Sequence, residues 1–218
     1  MKRIMVAVPS REQIDVNTVK CLMQLERDAR LNPDLDVVVE IEPGTIIHDL
    51  RYAMAQKAIE ERYDYVFWVD SDMVFNSDIL IDLLADDKDI VTAVCFMRRS
   101  PYEPCIYQKL RLGRTLEEDQ VEKYLEYPKD KLFEVEACGM AMCLIKIEAL
   151  RQILSLSGQP FFPIRNDHRT LGEDLSFCYK ARSLGYKIYA DPRAYVGHIG
   201  KLVSDRDSYE ALRRLKEA

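Results

Sequence analysis

The sequence predicts an α/β fold, a layered domain with a mostly parallel central sheet and helices on both faces. Segments with strand and helix patterns alternate through the first hundred residues, the order typical of such layers. The strand segments, YVFWV at residues 65–69 above all, are apolar at nearly every position. Strands with that pattern are covered on both sides. No repeat or low-complexity linker interrupts the chain, so we expect a single domain over residues 1–218.

The expected elements follow from apolar periodicity and from turn residues. Strands are predicted at residues 3–8, 37–41, 65–69, 89–96 and 187–190, with two short strands around Gly139 within 133–145. Helices are predicted at residues 16–31, 47–58, 147–156, 173–184 and 208–216, with another after a cap at Asn76-Ser77. Residues 98–131 are polar and contain three prolines, which predicts an irregular insertion or an antiparallel excursion. We expect residues 201–218 to form a C-terminal tail and helix.

Composition excludes several classes of protein. The chain has 31 basic and 37 acidic residues and a net charge of −6, which argues against a general nucleic-acid binder, because phosphate contacts need clustered Lys and Arg. The first residues lack the apolar stretch of a signal peptide, and no run reaches the roughly 18 apolar residues of a membrane span. We therefore expect a cytoplasmic protein without an integral membrane segment. The six cysteines are scattered, with no C-x-x-C pair, which predicts reduced, mostly buried thiols.

The triplet Asp70-Ser71-Asp72 directly follows the apolar strand YVFWV. Ligands of open α/β sheets bind at the carboxyl ends of the strands, and paired carboxylates there suit Mg²⁺ or Mn²⁺ bridging a diphosphate. A solvated acidic turn is the alternative interpretation.

The segment Gly172-Glu173-Asp174 opens an amphipathic helix. Carboxylates in the first turn stabilise a helix through its dipole, so a capping role is a serious alternative to a catalytic one. We expect a base at this place to stay ionised near neutral pH and to depend on positioning rather than on a raised pKa.

A third segment, Gly197-His198-Ile199-Gly200, places one of only three histidines between two glycines. Glycines leave the backbone room to approach a ligand, and a neutral imidazole would shift metal preference toward Mn²⁺ over Ca²⁺. A structural histidine is the alternative.

Together these segments resemble GT-A-fold glycosyltransferases, close to glycosyltransferase family 2 and its relatives. The matching pieces are VAVPSR, DLRYAMAQKA, YVFWVDSDMVF, DIVTAVCFMRR, ACGMAMCLIKIEAL, GEDLSFCYKARSLGYKIYADP and VGHIG, which span roughly residues 3 to 200. The block from Gly172 to Gly200 is the most specific of them. The resemblance implies a single Rossmann-like domain that uses a nucleotide-sugar donor, UDP- or GDP-linked, an acceptor hydroxyl and Mn²⁺ or Mg²⁺.

The resemblance also implies roles for individual residues. Asp70 would lie near the nucleotide ribose and the metal ion, and Asp72 and His198 would bind the metal ion itself. Asp174 is similar to the catalytic base of inverting members, with Glu173 nearer the acceptor. The remaining matched positions would contact the donor: Pro9, Ser10 and Arg11 at the base, Ser71 within the acidic triplet, Arg51 and Arg98 (with its neighbour Arg99) facing the donor or its diphosphate, and Gly139 beside the sugar. For Arg51, a solvent-exposed helix position is the alternative. Arg98 and Arg99 would face the diphosphate or an anionic acceptor, and a solvated basic turn is the alternative for them.

The implied reaction is transfer of a single sugar, because the sequence stops soon after His198 and lacks the long C-terminal region of polymerising members. Inversion is expected, although some GT-A families with the same acidic triplet and histidine retain the stereochemistry. Other classes stay open. The run VFWVDSDMV also fits a haloacid-dehalogenase-type phosphatase, but there the motif ends the first strand. A nucleotidyltransferase would carry a glycine-rich loop where this chain has VPSREQ. A non-catalytic nucleotide- or sugar-binding module is the third alternative.

Overall fold

The computed structural model describes residues 1–200; the predicted C-terminal tail and helix lie outside the described residues. The strands are β1 (Lys2–Ser10), β2 (Leu35–Pro43), β3 (Tyr65–Val69), β4 (Met73–Phe75), β5 (Ile90–Ala93), β6 (Ile106–Arg111), β7 (Gln120–Lys123), β8 (Phe133–Val135), β9 (Ala137–Cys138), β10 (Met142–Lys146), β11 (Ile188–Asp191) and β12 (Val196–His198). The helices are α1 (Val16–Ala29), α2 (Ile47–Glu60), α3 (Ile79–Ala85), α4 (Ile147–Ser157) and α5 (Glu173–Ser183).

The central sheet has seven strands in the order β2-β1-β3-β10-β5-β11-β8. Strands β2, β1, β3, β5 and β11 run in one direction, and β10 and β8 run in the other. The predicted α/β class with a mostly parallel sheet is therefore confirmed. Strand β10 lies between β3 and β5, so two parallel strands of the predicted core do not pair with each other.

Alternate residues of each central strand enter two separate cores. In β1, Ile4, Val6 and Val8 pack with side chains of α1 and α3. Met5 and Ala7 point to the other face, which α2, α4 and α5 cover. Because both faces are buried, every position from Ile4 to Val8 excludes water completely, and the burial of so much apolar surface stabilises the sheet. This is the physical reason for the apolar runs in the sequence.

Two smaller sheets lie beside the main one. Strands β4 and β12 form an antiparallel pair, and β7, β6 and β9 form a three-stranded sheet. Both β6 and β7 belong to the segment 98–131, where the antiparallel excursion was one of the two predicted alternatives. That segment is therefore not wholly irregular, since β6 pairs with β9 next to Gly139.

Several predicted boundaries were wrong. Strand β1 continues through Pro9 to Ser10 because β2 pairs with it along its whole length, beyond the point where β3 ends. The strand expected at 89–96 is limited to β5, and three strands rather than two lie within 133–146. The helix after Asn76-Ser77 begins at Ile79 with Asp78 at its N-cap, and that cap makes no side-chain hydrogen bond.

The structure also bears on the predictions about the cysteines and about membrane segments. All six cysteines are free, and four of them, Cys95, Cys138, Cys143 and Cys178, are buried. Among residues 1–200, no helix combines the length and the apolar character that crossing a bilayer requires.

The loop between α4 and α5 is attached to the core through Phe161. This side chain is fully buried, stacks on Phe177 at 5.0 Å between ring centroids and meets Trp68 edge-on at 5.6 Å. The next residue, Phe162, is 53% exposed. The two adjacent phenylalanines therefore have the same side chain but opposite exposure, so a comparison of the two measures the effect of burial.

We expect Phe161→Ala to lower the free energy of unfolding by about 3–5 kcal/mol, because it leaves a cavity beside two aromatic rings. The matched control Phe162→Ala should cost less than about 1 kcal/mol. Urea titrations followed by circular dichroism measure both values. Equal losses in the two variants would contradict this account of the loop.

Candidate functional site

Most of the predicted site residues meet in a cleft of about 740 Å³ at the edge of the sheet where β1 and β3 end, and Ser10, Gly139 and Asp174 do not line it. Ligands of open α/β sheets bind at this edge. The cleft is lined by Pro9, Arg11, Glu12, Gln13, Gly44, Ile47, Arg51, Asp70, Ser71, Asp72, Arg98, Glu173 and His198. Residues from the first, second and last thirds of the sequence thus contribute to one surface.

The backbone of Asp70-Ser71-Asp72 is held at three points. The amide of Asp70 donates to the carbonyl of Ala141 at 3.0 Å. The carbonyl of Ser71 accepts from Asp15, the N-cap residue of α1, at 2.9 Å. The carbonyl of Asp72 accepts from Ile199 at 2.8 Å. The backbone of this turn is therefore fixed by residues that directly flank β10, α1 and β12.

Asp72 lies between the side chains of Arg98 and His198. His198 Nε2 is 3.2 Å from Asp72 Oδ1, and Arg98 Nη1 donates to Oδ2 at 2.6 Å. The pairing of β12 with β4 sets His198 opposite Met73, the residue after Asp72. The backbone pairing of two short strands thus brings the histidine to the acidic triplet.

Asp72 and His198 shift each other's protonation. Although burial opposes the change, His198 and Arg98 lower the pKa of Asp72. The hydrogen bond with Asp72 raises the pKa of His198 against the effect of burial, and the carbonyl of Phe96, 2.9 Å from Nδ1, adds to the rise. Each of the two groups therefore favours the charged form of the other.

Asp72 and His198 also have the chemistry of metal ligands. When Nδ1–H donates to the carbonyl of Phe96, a neutral imidazole keeps a free lone pair on Nε2 toward Asp72, the arrangement common for metal-binding histidines. Residues 1–200 contain no group of three or more His, Cys, Asp or Glu side chains that could hold a metal ion. Two protein ligands fit Mg²⁺ or Mn²⁺ where phosphate oxygens and water complete the coordination.

Arg51 is buried rather than exposed on its helix, so the predicted alternative of a solvent-exposed position is wrong. Only 2% of its surface is accessible, and it lies over the Trp68 ring at 5.3 Å. Its Nη2 donates to Asp70 Oδ1 at 2.7 Å, and its Nε is 3.9 Å from Glu173 Oε1. One guanidinium therefore connects the acidic triplet to the start of α5.

Glu173 and Asp174 differ in their surroundings. Glu173 lines the cleft, whereas Asp174 lies beside Gly139 and Cys105. One oxygen of Asp174, Oδ1, accepts the amide of Leu175 at 2.7 Å, so this carboxylate does bond to the first turn of its helix. A Cβ built on Gly139 would be 3.9 Å from the other oxygen, Oδ2.

Burial, with the negative charge of Glu173 second, raises the pKa of Asp174 from 3.8 to about 6. The expectation that a carboxylate here would act without a raised pKa was wrong. The helix dipole and the Leu175 amide favour the charged form, but the half-buried position and the neighbouring carboxylates outweigh them. The group is still mainly ionised above pH 7, as expected.

The other predicted residues divide into two groups. Pro9, Arg11, Ser71 and Arg98 line the cleft. Ser10 does not line it, because this residue is buried and its hydroxyl donates to the Gln13 carbonyl at 2.9 Å.

Sequence reasoning missed Glu12, Gln13, Gly44 and Ile47, which complete the lining. It also missed Cys105, which directly precedes β6. The carbonyl of Cys105 accepts a hydrogen bond from the Gly139 amide at 2.9 Å. The loop VPSREQ contains Glu12 and Gln13 and was the one available signal.

Comparison with known proteins identifies the fold. No family model matches the sequence, and no curated protein matches it. The crystal structure of A197 from STIV matches with a TM-score of 0.57 and 16% identity over 92% of this chain and 87% of that chain. The crystal structure of GalNAc-T7 with UDP, GalNAc and Mn²⁺ matches with a TM-score of 0.53 and 14% identity over 92% of this chain and 43% of that chain. The chain thus shares the fold of a GT-A glycosyltransferase and spans less than half of that protein.

We expect Asp174→Asn to stabilise the protein at pH 8 relative to the wild type by about 1–3 kcal/mol and to have little effect at pH 4. Because folding raises the pKa of Asp174 to about 6, ionising it costs stability as the pH rises from about 4 through 6. Urea titrations at the two pH values measure the difference. The exposed carboxylate Asp167 provides a control, since Asp167→Asn should show no such gain. An Asp174→Asn effect that did not change with pH would contradict the pKa shift.

Proposed function

We propose that the chain is a glycosyltransferase that moves a single sugar from a UDP- or GDP-linked donor to an acceptor hydroxyl, with inversion at the anomeric carbon. The observation that carries the proposal is the convergence of Asp72, His198, Arg98 and Glu173 on one cleft at the carboxyl edge of the sheet, with Asp174 next to Glu173 in the chain and close to Gly139. The shared fold with GalNAc-T7, whose structure holds UDP, GalNAc and Mn²⁺, supports it.

The donor would lie along the lining of the cleft from Pro9 and Arg11 toward Asp70 and Asp72. Asp72 and His198 would hold Mn²⁺ or Mg²⁺ together with the diphosphate oxygens. A bound divalent ion neutralises the charge that develops on the departing nucleoside diphosphate. Arg51 keeps Asp70 in place, because its guanidinium donates to that carboxylate from a buried position.

Asp174 would take the proton of the acceptor hydroxyl. A carboxylate with a pKa of about 6 is ionised at neutral pH and is a stronger base than an ordinary aspartate, which favours proton transfer. Glu173 lines the cleft and is held near Arg51. Its place is suited to orienting the acceptor next to the base.

Two enzyme alternatives fit the site less well. A phosphatase of the haloacid-dehalogenase type needs a nucleophilic first aspartate at the end of the first strand. Asp70 instead follows β3, and one of its oxygens accepts from Arg51. A nucleotidyltransferase needs a glycine-rich loop after β1, but the loop here contains Arg11, Glu12 and Gln13.

We expect UDP or GDP to raise the melting temperature only when Mn²⁺ or Mg²⁺ is present, and Asp72→Asn to remove this dependence. A nucleotide at 100 times its dissociation constant should add about 2.7 kcal/mol to the apparent stability. Loss of a ligand should weaken Mn²⁺ binding by about 100-fold or more, since the loss of an outer partner alone costs 10–100-fold. Calorimetry with Asp49→Asn, an exposed carboxylate on α2, is the control. Unchanged Mn²⁺ affinity in Asp72→Asn would reject the metal site.

We expect Asp174→Asn to bind the donor normally and to hydrolyse it at least about 100-fold more slowly, the size of a general-base contribution. Hydrolysis of UDP- and GDP-linked hexoses, with water as the acceptor, can be followed by release of the nucleoside diphosphate. Glu173→Gln should retain more activity than Asp174→Asn. The reverse order would assign the base to Glu173, and full activity in both variants would leave these carboxylates a helix-capping role only.

A further inference from the structure

Arg98 is hydrogen-bonded to Asp72, one of the two proposed metal ligands. Its Nη1 donates to Asp72 Oδ2 at 2.6 Å, and His198 Nε2 lies 3.2 Å from Oδ1. Both oxygens of Asp72 are thus already in contact with protein side chains. A divalent ion can use this carboxylate only if at least one of these contacts is given up.

Arg98 is the cation that is free to leave. Its side chain is 51% exposed, whereas those of Asp72 and His198 are 23% and 17% exposed. Exposed ion pairs contribute little to stability because water screens them and because ordering a long side chain costs entropy. His198 is held further by the carbonyl of Phe96, and among residues 1–200 the departure of Arg98 breaks only its side-chain hydrogen bond to Asp72.

The backbone beside Arg98 is packed against the segment that carries His198. The Phe96 carbonyl, two residues earlier, is 2.9 Å from His198 Nδ1. A Cβ built on Gly200 would lie 2.7 Å from the carbonyl oxygen of Arg98, so the chain after His198 packs directly on the arginine backbone. A movement of the guanidinium would therefore leave the backbone of Arg98 beside Asp72 and His198.

The space available to the guanidinium is the cleft itself. Arg98 forms part of the wall between the main cleft and an adjoining cavity of about 610 Å³, and Gln13, Ser71 and Asp72 also line both. A guanidinium in this place can donate two parallel hydrogen bonds to a phosphate group.

We propose that Arg98 is an exchangeable counter-ion, which neutralises Asp72 in the metal-free protein and, once released by metal binding, turns to the diphosphate of the nucleotide. This inference rests on the proposed function and adds a coupling between its two ligands. Because Arg98 leaves Asp72 only when a metal ion binds there, it becomes available to the phosphates at that moment. Metal and nucleotide then favour each other's binding, as linkage requires.

The test uses Arg98→Gln and two opposite expectations. Without nucleotide, Mn²⁺ should bind Arg98→Gln about threefold to fivefold more tightly than the wild type, because no guanidinium competes for Asp72. With saturating Mn²⁺, UDP and GDP should bind the variant about tenfold more weakly, because a charge-assisted hydrogen bond to phosphate is lost. Calorimetry, with electron paramagnetic resonance of free Mn²⁺, measures both.

Arg99→Gln is the matched control, because Arg99 is exposed and lines the adjoining cavity one residue further along. It removes the same charge but not the contact with Asp72, so it should change Mn²⁺ affinity less than Arg98→Gln. Arg98→Lys keeps the charge, so its affinities for Mn²⁺ and for the nucleotide should each lie between those of the wild type and of Arg98→Gln.

Three outcomes would overturn the exchange. Equal Mn²⁺ affinity in the wild type and Arg98→Gln rejects the exchange and leaves the proposed function standing. Metal-independent UDP binding that Arg98→Gln abolishes shows that Arg98 replaces the metal ion. Absence of Mn²⁺ binding in every variant rejects the metal site of the proposed function together with the exchange.

Discussion

The buried guanidinium of Arg51 constrains the whole site. A charge that is removed from water must be compensated by partners of opposite charge, and Asp70 at 2.7 Å and Glu173 at 3.9 Å serve here. Its Nε and Nη1 have no hydrogen-bond partner among residues 1–200, so the compensation depends on those two carboxylates and on the face of Trp68. The C-terminal end of β3 and the N-terminal end of α5 are therefore both held close to α2 by Arg51.

The two aspartates of the acidic triplet consequently serve different purposes. Asp70 pairs with an arginine that is buried in α2, so its orientation is part of the fold. Asp72 pairs with a half-exposed arginine and a histidine, so its partners can change without disturbing the core. Two residues that are only two positions apart thus have different surroundings: Asp70 contacts a buried arginine and Asp72 contacts a half-exposed one. The same short motif thereby combines a carboxylate with fixed contacts and a carboxylate whose contacts can change.

The central strands and most helices were predictable because their apolar patterns report burial directly, and YVFWV matches β3 at both ends. Strands β4 and β12 were not, since three residues carry too little periodicity to distinguish a strand from a loop. Their pairing is nevertheless what brings His198 to Asp72. The burial of Arg51 was also hidden, because an arginine within an amphipathic helix is usually exposed. The raised pKa of Asp174 depends on tertiary packing against β6 and β9, which local sequence does not contain.

The position of β10 has a consequence for how the chain folds. Strands β3 and β5 are 20 residues apart in sequence, yet each pairs with β10, which begins about 50 residues after β5 ends. Until β10 is available, β3 and β5 have edges with unpaired backbone groups and no partner on that side. Long-range pairing of this kind slows folding and exposes strand edges that can pair with other chains. During synthesis, the emergence of Met142–Lys146 from the ribosome would thus join β3 to β5 and remove one unpaired edge of each, whereas the other edge of β5 stays unpaired until β11 emerges.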